Sequence, residues 1–160
     1  MLALGVAACS DNTAPWHMIS GDNPVADAVL VADSAGAQVG TALAVKCRAD
    51  SLSRPQWTVA ILSERAVSTS RPYLMWTNGL YTESWQASLD SPSLARPHIL
   101  QVRTTEDRFR RLLRPNTLGP TYTLSVTYEL ASGAVVRALF STPKDATAEV
   151  LQRVSRHCER

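Results

Sequence analysis

Residues 121–130 read TYTLSVTYEL, and this run decides the fold class. Tyr, Leu, Val, Tyr and Leu occupy its even positions, whereas Thr, Ser and Glu fill the odd ones. Because successive side chains of a β-strand point to opposite faces, the alternation predicts a strand with one buried face. Ser132-Gly133 then marks a turn, and Ala134–Ser141 predicts the returning strand of a hairpin.

Similar alternation occurs in the part of the chain that precedes this hairpin. Thr41–Arg48 has apolar residues on one face, and the run around Trp57, Val59 and Ile61 repeats the pattern after Pro55. Shorter strands are predicted at residues 25–32, 73–76, 80–87 and 98–103. Two of them flank Asn78-Gly79, and we expect them to form a hairpin because Asn-Gly is a typical hairpin turn.

Two helices are predicted among these strands. Thr105–Arg114 has Phe109, Leu112 and Leu113 at helical spacing, with acidic residues early, arginines late and Pro115 at its end. A C-terminal helix follows Thr142, a candidate N-cap, and Pro143 at the first helical position. Its apolar stripe comprises Ala146, Val150, Leu151, Val154 and Cys158.

The order of elements predicts a mainly β domain of the α+β class. We expect an antiparallel β-sandwich or a curled sheet, with a short internal helix and a C-terminal helix packed on it. The 160 residues are 45% hydrophobic and 19% charged, which is typical of one globular domain. The net charge of +2 is too small to favour nucleic acid as a partner.

The sequence contains no recognisable catalytic or metal-binding pattern. The three histidines, at positions 17, 98 and 157, are not spaced with one another or with acidic residues as zinc ligands would be. Neither a Gly-x-Ser-x-Gly elbow nor a glycine-rich phosphate loop occurs. We therefore predict a protein that is not an enzyme and that has no metal, cofactor or catalytic residue.

The amino terminus carries a different signal. Residues 1–8 are apolar and uncharged, and the run ends in Val6-Ala7-Ala8-Cys9. This tetrapeptide resembles the lipobox of bacterial lipoproteins, in which small residues precede the cysteine that receives the lipid. The resemblance implies a lipidated Cys9. It also implies a truncated signal peptide over residues 1–8, since no basic residue precedes the cysteine.

The lipobox resemblance also implies how the chain is organised and where it resides. Residues 9–24, rich in Ser, Asp, Asn, Pro and Gly, would form the lipidated cysteine and a tether, and residues 25–160 a single β-rich exported domain. Ser10 in place of an aspartate favours the outer membrane, facing the periplasm, over the inner membrane. The alternative is that residues 1–9 are an ordinary buried apolar start.

Two further cysteines lie on faces that are predicted to be buried. Cys47 is on the inward face of a strand, and Cys158 is on the inward stripe of the last helix. Export would place both in an oxidising compartment, where disulfides persist. We therefore expect a Cys47–Cys158 disulfide, with two buried free thiols as the alternative.

Two groups of side chains are candidates for a partner surface. The arginines of the short helix could meet an acidic protein or lipid phosphates, or could form a solvated face partly neutralised by Glu106 and Asp107. The arginine-rich stretch comprises Arg103, just before this helix, together with Arg108, Arg110, Arg111 and Arg114. Trp76 and Trp85, close to Asn78-Gly79, could contact a partner or could pack in the core.

The layout is also similar to that of the accessory periplasmic proteins associated with type VI secretion. Those proteins show an early Trp, a Cys-bearing strand, a Trp-x-x-Ser-x-Asp-like stretch, a late Phe and a terminal helix ending in Cys. The matching residues are Trp16, Cys47, 85–90 (WQASLD), Phe140 and Cys158. Only Asp22 stands where paired acids are usual, and the Arg-x-Asp before the central Trp is absent. The resemblance therefore implies a shared β fold more than a shared role.

Together these patterns indicate a membrane-anchored envelope lipoprotein with a non-enzymatic domain that binds another envelope protein. Such a domain could be an accessory to a secretion or envelope complex. One alternative is a periplasmic module that binds a small ligand or glycan, and a more remote one is an unrecognised hydrolase. An exposed apolar patch would favour the protein-binding domain. A pocket with convergent polar groups would favour the ligand-binding module.

Overall fold

The computed structural model describes residues 16–18, 29–32, 40–90, 98–112 and 120–158. Within these ranges the chain forms ten strands and two helices. The strands are β1 (His17–Met18), β2 (Val29–Ala32), β3 (Thr41–Ala49), β4 (Pro55–Ser63), β5 (Tyr73–Thr77), β6 (Thr82–Gln86), β7 (Ser88–Asp90), β8 (His98–Thr104), β9 (Thr121–Glu129) and β10 (Val135–Pro143). The helices are α1 (Glu106–Leu112) and α2 (Lys144–His157).

The strands form two antiparallel sheets. Six strands pair in the order β1-β2-β3-β4-β8-β7, and four pair in the order β10-β9-β5-β6. The run that decided the fold class becomes β9, and its partner β10 returns after Gly133, which has a φ of 82°. The prediction of a mainly β, antiparallel domain is confirmed, and of the two predicted architectures the structure has the sandwich.

The core lies between the two sheets. Leu43, Val45 and Cys47 of β3 are buried at alternate positions, as are Leu124, Val126 and Tyr128 of β9. These residues belong to one hydrophobic cluster with Trp57, Val59, Ile61, Leu74, Trp76, Leu100, Ala138 and Phe140. The two-residue period of these strands therefore reports the inward face of each sheet, where the main core lies. A second, smaller cluster of buried residues, Ala44, Ala60 and Ile99, lies on the outward face of the six-stranded sheet.

The chain passes from the four-stranded to the six-stranded sheet between β6 and β7, a crossing that the sequence did not predict. The prediction of one strand over residues 80–87 is wrong at both ends, because β6 covers Thr82–Gln86 and a separate β7 follows it. The backbone N–H of Ala87 donates to the carbonyl of Pro72, after which Ser88 pairs with Gln101 in the other sheet. A change of sheet leaves the hydrophobic alternation intact, so the pattern alone could not reveal it.

Each of the two helices contributes buried side chains to the core between the sheets. Phe109 of α1 is fully buried against Trp57, with ring centroids 6.0 Å apart. Leu151 and Val154 of α2 are buried in the same cluster, as the predicted stripe requires. The predicted Cys47–Cys158 disulfide is confirmed, and it joins β3 to the end of α2 with a Cα–Cα distance of 5.2 Å.

The predicted N-cap of the last helix is wrong. Strand β10 continues through Pro143, which is itself the cap residue, and no side chain caps the helix. Thr142 instead shares a hydrogen bond of 2.7 Å with Thr147, whose hydroxyl also donates to the carbonyl of Pro143. Thr142 therefore satisfies a buried hydroxyl group of α2 rather than a free backbone N–H.

Residues 16–18, which the sequence analysis placed in the tether, lie against the domain. His17–Met18 pair with β2, and the indole Nε1 of Trp16 donates to the hydroxyl of Thr147 at 3.1 Å. Trp16 is half-buried against the core cluster. The other predicted tether residues, 9–15 and 19–24, lie outside the described ranges, as do Cys9 and residues 1–8.

Candidate functional site

The two tryptophans that we considered as a partner surface are part of the core. Trp76 is 0% exposed and Trp85 is 8% exposed, and their rings pack with centroids 5.3 Å apart. Both lie on the inward face of the β5–β6 hairpin, because Leu74 and Trp76 alternate with exposed Met75. The packing interpretation of these residues therefore agrees with the structure, and the partner-surface interpretation does not.

Two of the three described arginines of α1 are paired with acidic neighbours. Arg110 pairs with Glu106 one turn earlier at 2.6 Å, and Arg108 reaches Glu83 of β6 at 3.4 Å. Arg108 also lies over the Trp85 ring, 5.9 Å from its centroid. Arg111 is exposed, and Arg114 lies outside the described ranges. The solvated-face interpretation therefore fits the described arginines better than a concentrated basic patch does.

The loop between β5 and β6 differs from its prediction in an informative way. Asn78-Gly79 does join a hairpin, but the loop comprises four residues, Asn78–Tyr81, and we call it the hairpin tip. Leu80 and Tyr81, predicted to begin a strand, are 64% and 42% exposed. The turn at Asn78-Gly79 is therefore confirmed, but the exposed side chains beside it are Leu80 and Tyr81 and not Trp76 and Trp85.

Buried Asn78 holds the hairpin tip in place. Its Oδ1 accepts the backbone N–H groups of Leu80 and Tyr81 at 2.9 and 2.8 Å. Its Nδ2 donates to the carbonyl of Arg111 at 3.1 Å, which ties the tip to α1. Gly79 turns the chain with a φ of 89°. Leu80 and Tyr81 are therefore exposed on a loop whose backbone is held in place by the hydrogen bonds of Asn78.

The hairpin tip continues into the outer face of the four-stranded sheet. A cavity of about 290 Å³ separates the tip from β9 and β10, and Leu139 lines it together with hydroxyl-bearing residues. Arg137 is the charged residue that lines it, and its Nε donates to the hydroxyl of Ser125 at 2.8 Å. Exposed Met75 and Leu139 stand among Ser and Thr on this face. The surface around the tip is thus apolar and hydroxyl-rich.

The outer face of the six-stranded sheet is basic at the end that lies near the β3–β4 turn. Next to the β3–β4 turn lies an open cavity of about 430 Å³, and four of its eight lining residues are basic. We call these four residues, Lys46, Arg48, Arg54 and Arg103, the basic cradle. Lys46 and Arg48 follow the period of two in β3 and therefore lie on its outward face.

The acidic residue of this cavity is Asp50, which begins the β3–β4 turn. Its Oδ1 accepts the backbone N–H groups of Leu52 and Arg54, and its Oδ2 accepts Nε of Arg54 at 2.9 Å. The backbone N–H of Arg54, followed by that of Leu52 and by the Arg54 guanidinium, lowers the pKa of the Asp50 carboxyl. Leu52 lies within this turn, and its side chain is 67% exposed.

The described residues contain neither a metal-binding cluster nor a helix that could cross a membrane. In the part of the chain that the structure describes, no three His, Cys, Asp or Glu side chains form a group that could hold a metal ion. The buried hydroxyls of Thr41, Tyr128 and Ser63 are hydrogen-bonded to one another at 2.7 and 3.3 Å, which satisfies them within the core. No helix among the described residues is long and apolar enough to span a bilayer.

Comparison with known proteins adds no relative to this description. The chain matches no known protein family, and no curated protein sequence or solved structure matches it significantly.

Proposed function

We propose that the chain is an exported envelope lipoprotein, anchored through Cys9, whose sandwich domain binds another envelope protein through the hairpin tip. The observation that carries the binding role is the pair of exposed apolar side chains, Leu80 and Tyr81, on a loop fixed by buried Asn78. The domain would serve as an accessory to a secretion or envelope complex. It would act by binding and not by catalysis.

The disulfide supports the proposed compartment. Cys47 and Cys158 are separated by 111 positions in the chain, and both are buried. Disulfides of this kind persist in the periplasm and outside the cell, and they are rare in the reducing cytosol. Together with the lipobox-like Val6-Ala7-Ala8-Cys9, this favours export followed by lipid attachment.

The fixed backbone of the tip supports the binding role. A flexible loop loses conformational freedom when it binds, and that loss weakens the complex. At the tip, the hydrogen bonds of Asn78 to Leu80, Tyr81 and Arg111 are already made in the free domain. Tyr is also among the residue types that contribute most to protein interfaces, since its ring is apolar and its hydroxyl forms hydrogen bonds.

The surroundings of the tip define the chemistry of the partner. Leu139 and Met75 extend the apolar surface along the sheet, and neighbouring Ser and Thr hydroxyls can exchange hydrogen bonds. Arg137, the charged residue beside the cavity, is engaged by Ser125. The partner would therefore present an apolar pocket with hydrogen-bonding groups at its rim.

Affinity capture from solubilised envelopes tests this binding role. The bait is the full-length lipoprotein, and the test variant carries Leu80→Ser and Tyr81→Ser. We expect the amount of captured partner to fall about tenfold or more, because central interface residues typically contribute about 2 kcal/mol or more. Leu52→Ser is the matched control, since Leu52 is 67% exposed on a different turn. Equal capture by all three proteins would remove the tip from the interface.

Lipid attachment is tested separately. The gene is expressed with its own upstream region, and cells are labelled with an alkyne analogue of palmitate. We expect label on the wild-type protein and none on the Cys9→Ala variant, which should also leave the membrane fraction. An unlabelled wild-type protein would contradict the lipoprotein assignment and would leave the hairpin-tip result unaffected.

A further inference from the structure

We propose that strand β6 pairs with β6 of a second copy of this chain, so that two domains share one continuous sheet. β6 pairs with β5 on one side, and it is the last strand of its sheet among the described residues. An edge strand presents backbone N–H and C=O groups that can pair with another chain. Three features of β6 support this pairing: the direction of its backbone groups, two buried side-chain atoms without hydrogen bonds, and the register that joins those atoms.

The hydrogen bonds at the two ends of the β5–β6 hairpin fix the direction of the β6 backbone. At the tip, the N–H of Asn78 donates to the carbonyl of Tyr81. At the other end, the N–H of Ala87 donates to the carbonyl of the residue that precedes β5. Because bonded pairs occur at every second position of antiparallel strands, Glu83 and Trp85 direct their backbone groups toward β5. The residues that direct theirs to the free edge are therefore Thr82, Ser84 and Gln86.

The free edge of β6 has few of the features that prevent pairing. The three outward residues have exposed side chains, and β6 contains neither proline nor lysine. Its register with β5 is regular, without a bulge. Glu83 is an inward-pointing charge, which disfavours pairing unless the added strand offers it a partner. The chemistry of the inward face therefore decides which strand can be added.

Two side-chain atoms on the inward face of β6 are buried without a hydrogen bond. They are Oε2 of Glu83, an acceptor, and Nε1 of Trp85, a donor. Nε of Arg108 forms an ion pair with this oxygen at 3.4 Å, without a hydrogen bond. A carboxylate oxygen can accept more than one hydrogen bond, so the ion pair leaves Glu83 able to accept another. Buried polar atoms are rarely left unpaired, and both of these lie beside the free edge.

Antiparallel pairing centred on Ser84 brings the two atoms together between the copies. In this register Ser84 is opposite Ser84 of the second copy, and Thr82 is opposite Gln86. All the outward residues then exchange backbone hydrogen bonds, two in each pair. Glu83 comes opposite Trp85 of the second copy in a non-hydrogen-bonded pair, where facing side chains are closest. Each copy would thus supply the donor for the other's acceptor.

The neighbouring register is less favourable. Pairing centred on Glu83 would oppose two carboxylates, and like charges directly opposite one another destabilise a sheet. It would also leave Gln86 without a backbone partner in β6 of the second copy. The register centred on Ser84 therefore fits both the backbone and the side chains of this strand.

The pairing leaves the hairpin tip available to its own partner. Because the strands are antiparallel, the tips of the two copies lie at opposite ends of the paired segment. Each tip also lies beyond that segment, since the second copy's chain leaves this sheet after Gln86. A dimer would therefore present two tips to an envelope complex, and linked sites bind more tightly than single ones. Failure of the pairing would leave the role of the tip unaffected.

Sedimentation velocity over a range of concentrations tests the pairing. The full 160-residue chain carries Cys9→Ser, so that no attached lipid contributes to association. We expect a monomer–dimer equilibrium that Ser84→Pro weakens about tenfold or more, because proline removes the central N–H of the free edge. Proline is tolerated where an edge N–H faces solvent, so the fold should persist. Ser84→Ala is the matched control, which keeps the N–H and should associate like the parent chain.

Two further variants test the register and protect the experiment against misfolding. Trp85→Phe keeps a ring and removes Nε1, so we expect dimerisation to weaken about fivefold. Ser84→Cys places the new thiols opposite one another, and a short thiol-reactive crosslinker should join the two copies. Leu52→Cys, on a different turn, should give no such product.

Each outcome decides the proposal. A dimer that Ser84→Pro and Trp85→Phe weaken, and Ser84→Ala does not, supports it. A chain that stays monomeric at every concentration overturns it, as does a dimer that Ser84→Pro leaves unchanged or that Ser84→Ala weakens equally. If Ser84→Pro lacks cooperative thermal unfolding, crosslinking decides instead. Products from Ser84→Cys and none from Leu52→Cys then support the pairing, and any other result overturns it.

Discussion

The turns at Asp50–Arg54 and Asn78–Tyr81 use the same local device. In each, the side-chain oxygen of the first residue accepts two backbone N–H groups further along the turn, and an exposed leucine projects from the loop. Leu52 and Leu80 have nearly the same exposure, at 67% and 64%. Asp and Asn favour such turns because their short side chains reach the backbone two residues ahead.

The surroundings of the two turns differ. Asn78 is buried and also donates to the carbonyl of Arg111, so the hairpin tip is anchored to α1. Asp50 interacts within its own turn, where Arg54 pairs with it at 2.9 Å. Leu80 is followed by exposed Tyr81, whereas Leu52 stands beside the basic cradle. The same hydrogen-bond pattern thus presents an apolar surface in one place and a cationic one in the other.

Removal of the disulfide should have the largest effect, because it acts on the fold that carries both turns. We expect Cys47→Ser with Cys158→Ser to lower the free energy of unfolding by about 4–5 kcal/mol, from the entropy of the loop of 111 residues that the bond closes. Denaturant unfolding monitored by tryptophan fluorescence measures the change. Cys9→Ser is the control, and a loss below about 1 kcal/mol would show that the bond contributes little to stability.

Removal of the two turn-initiating side chains should have unequal effects. Asn78→Ala takes away one buried acceptor of two N–H groups and one donor to α1, so we expect a loss of about 1–3 kcal/mol. Asp50→Ala should cost less, since the N–H groups that it releases reach water. Thermal unfolding ranks the two variants, and amide exchange at Leu80 and Leu52 reports each turn. If Asp50→Ala lost as much stability as Asn78→Ala, or more, the proposed difference between the two turns would be wrong.

The smallest expected effect concerns the pKa of the Asp50 carboxyl. Its hydrogen bonds favour the ionised carboxylate, so the pKa of Asp50 in the folded protein lies below the usual value of 3.8. The resulting stabilisation is present above pH 3.8 and is lost as the pH falls through the lowered pKa. NMR titration of the Asp50 carboxyl carbon gives the midpoint. Arg54→Gln should move it upward, and a wild-type midpoint above 3.8 would be contrary to the assignment.

Much of the fold follows from hydrophobic periodicity. The alternation in residues 121–130 corresponds to β9, and the helical stripe that includes Leu151 and Val154 corresponds to the buried face of α2. The disulfide was predictable because both cysteines fall on inward faces. The passage from β6 to β7 was not, since residues that change sheet at Ala87 keep the same alternation. Pro143 misled the helix start because proline is tolerated both in an edge strand and before a helix.

The candidate sites were less predictable than the fold. Trp76 and Trp85 were candidates for a partner surface because they are large and lie close to Asn78-Gly79. A large apolar side chain is also favoured in the core, and both residues are buried there. Leu80 and Tyr81 are exposed because the loop is two residues longer than a tight Asn-Gly turn. Asn78, which begins the loop, is bonded to α1, and a contact between residues 33 positions apart cannot be read from the local sequence. The basic cradle gathers residues from β3, β4, the turn between them and β8, which only strand register brings together.

Site-specific photocrosslinking in intact cells tests the central claim most directly. A photoreactive amino acid is placed at position 80 or, in a separate strain, at position 52. The account predicts a discrete crosslink to another envelope protein from position 80, lost when Asn78→Ala releases the tip, and no such product from position 52. Crosslinking of the same protein from both positions, or a product at position 80 that contains only two copies of this chain, would contradict it.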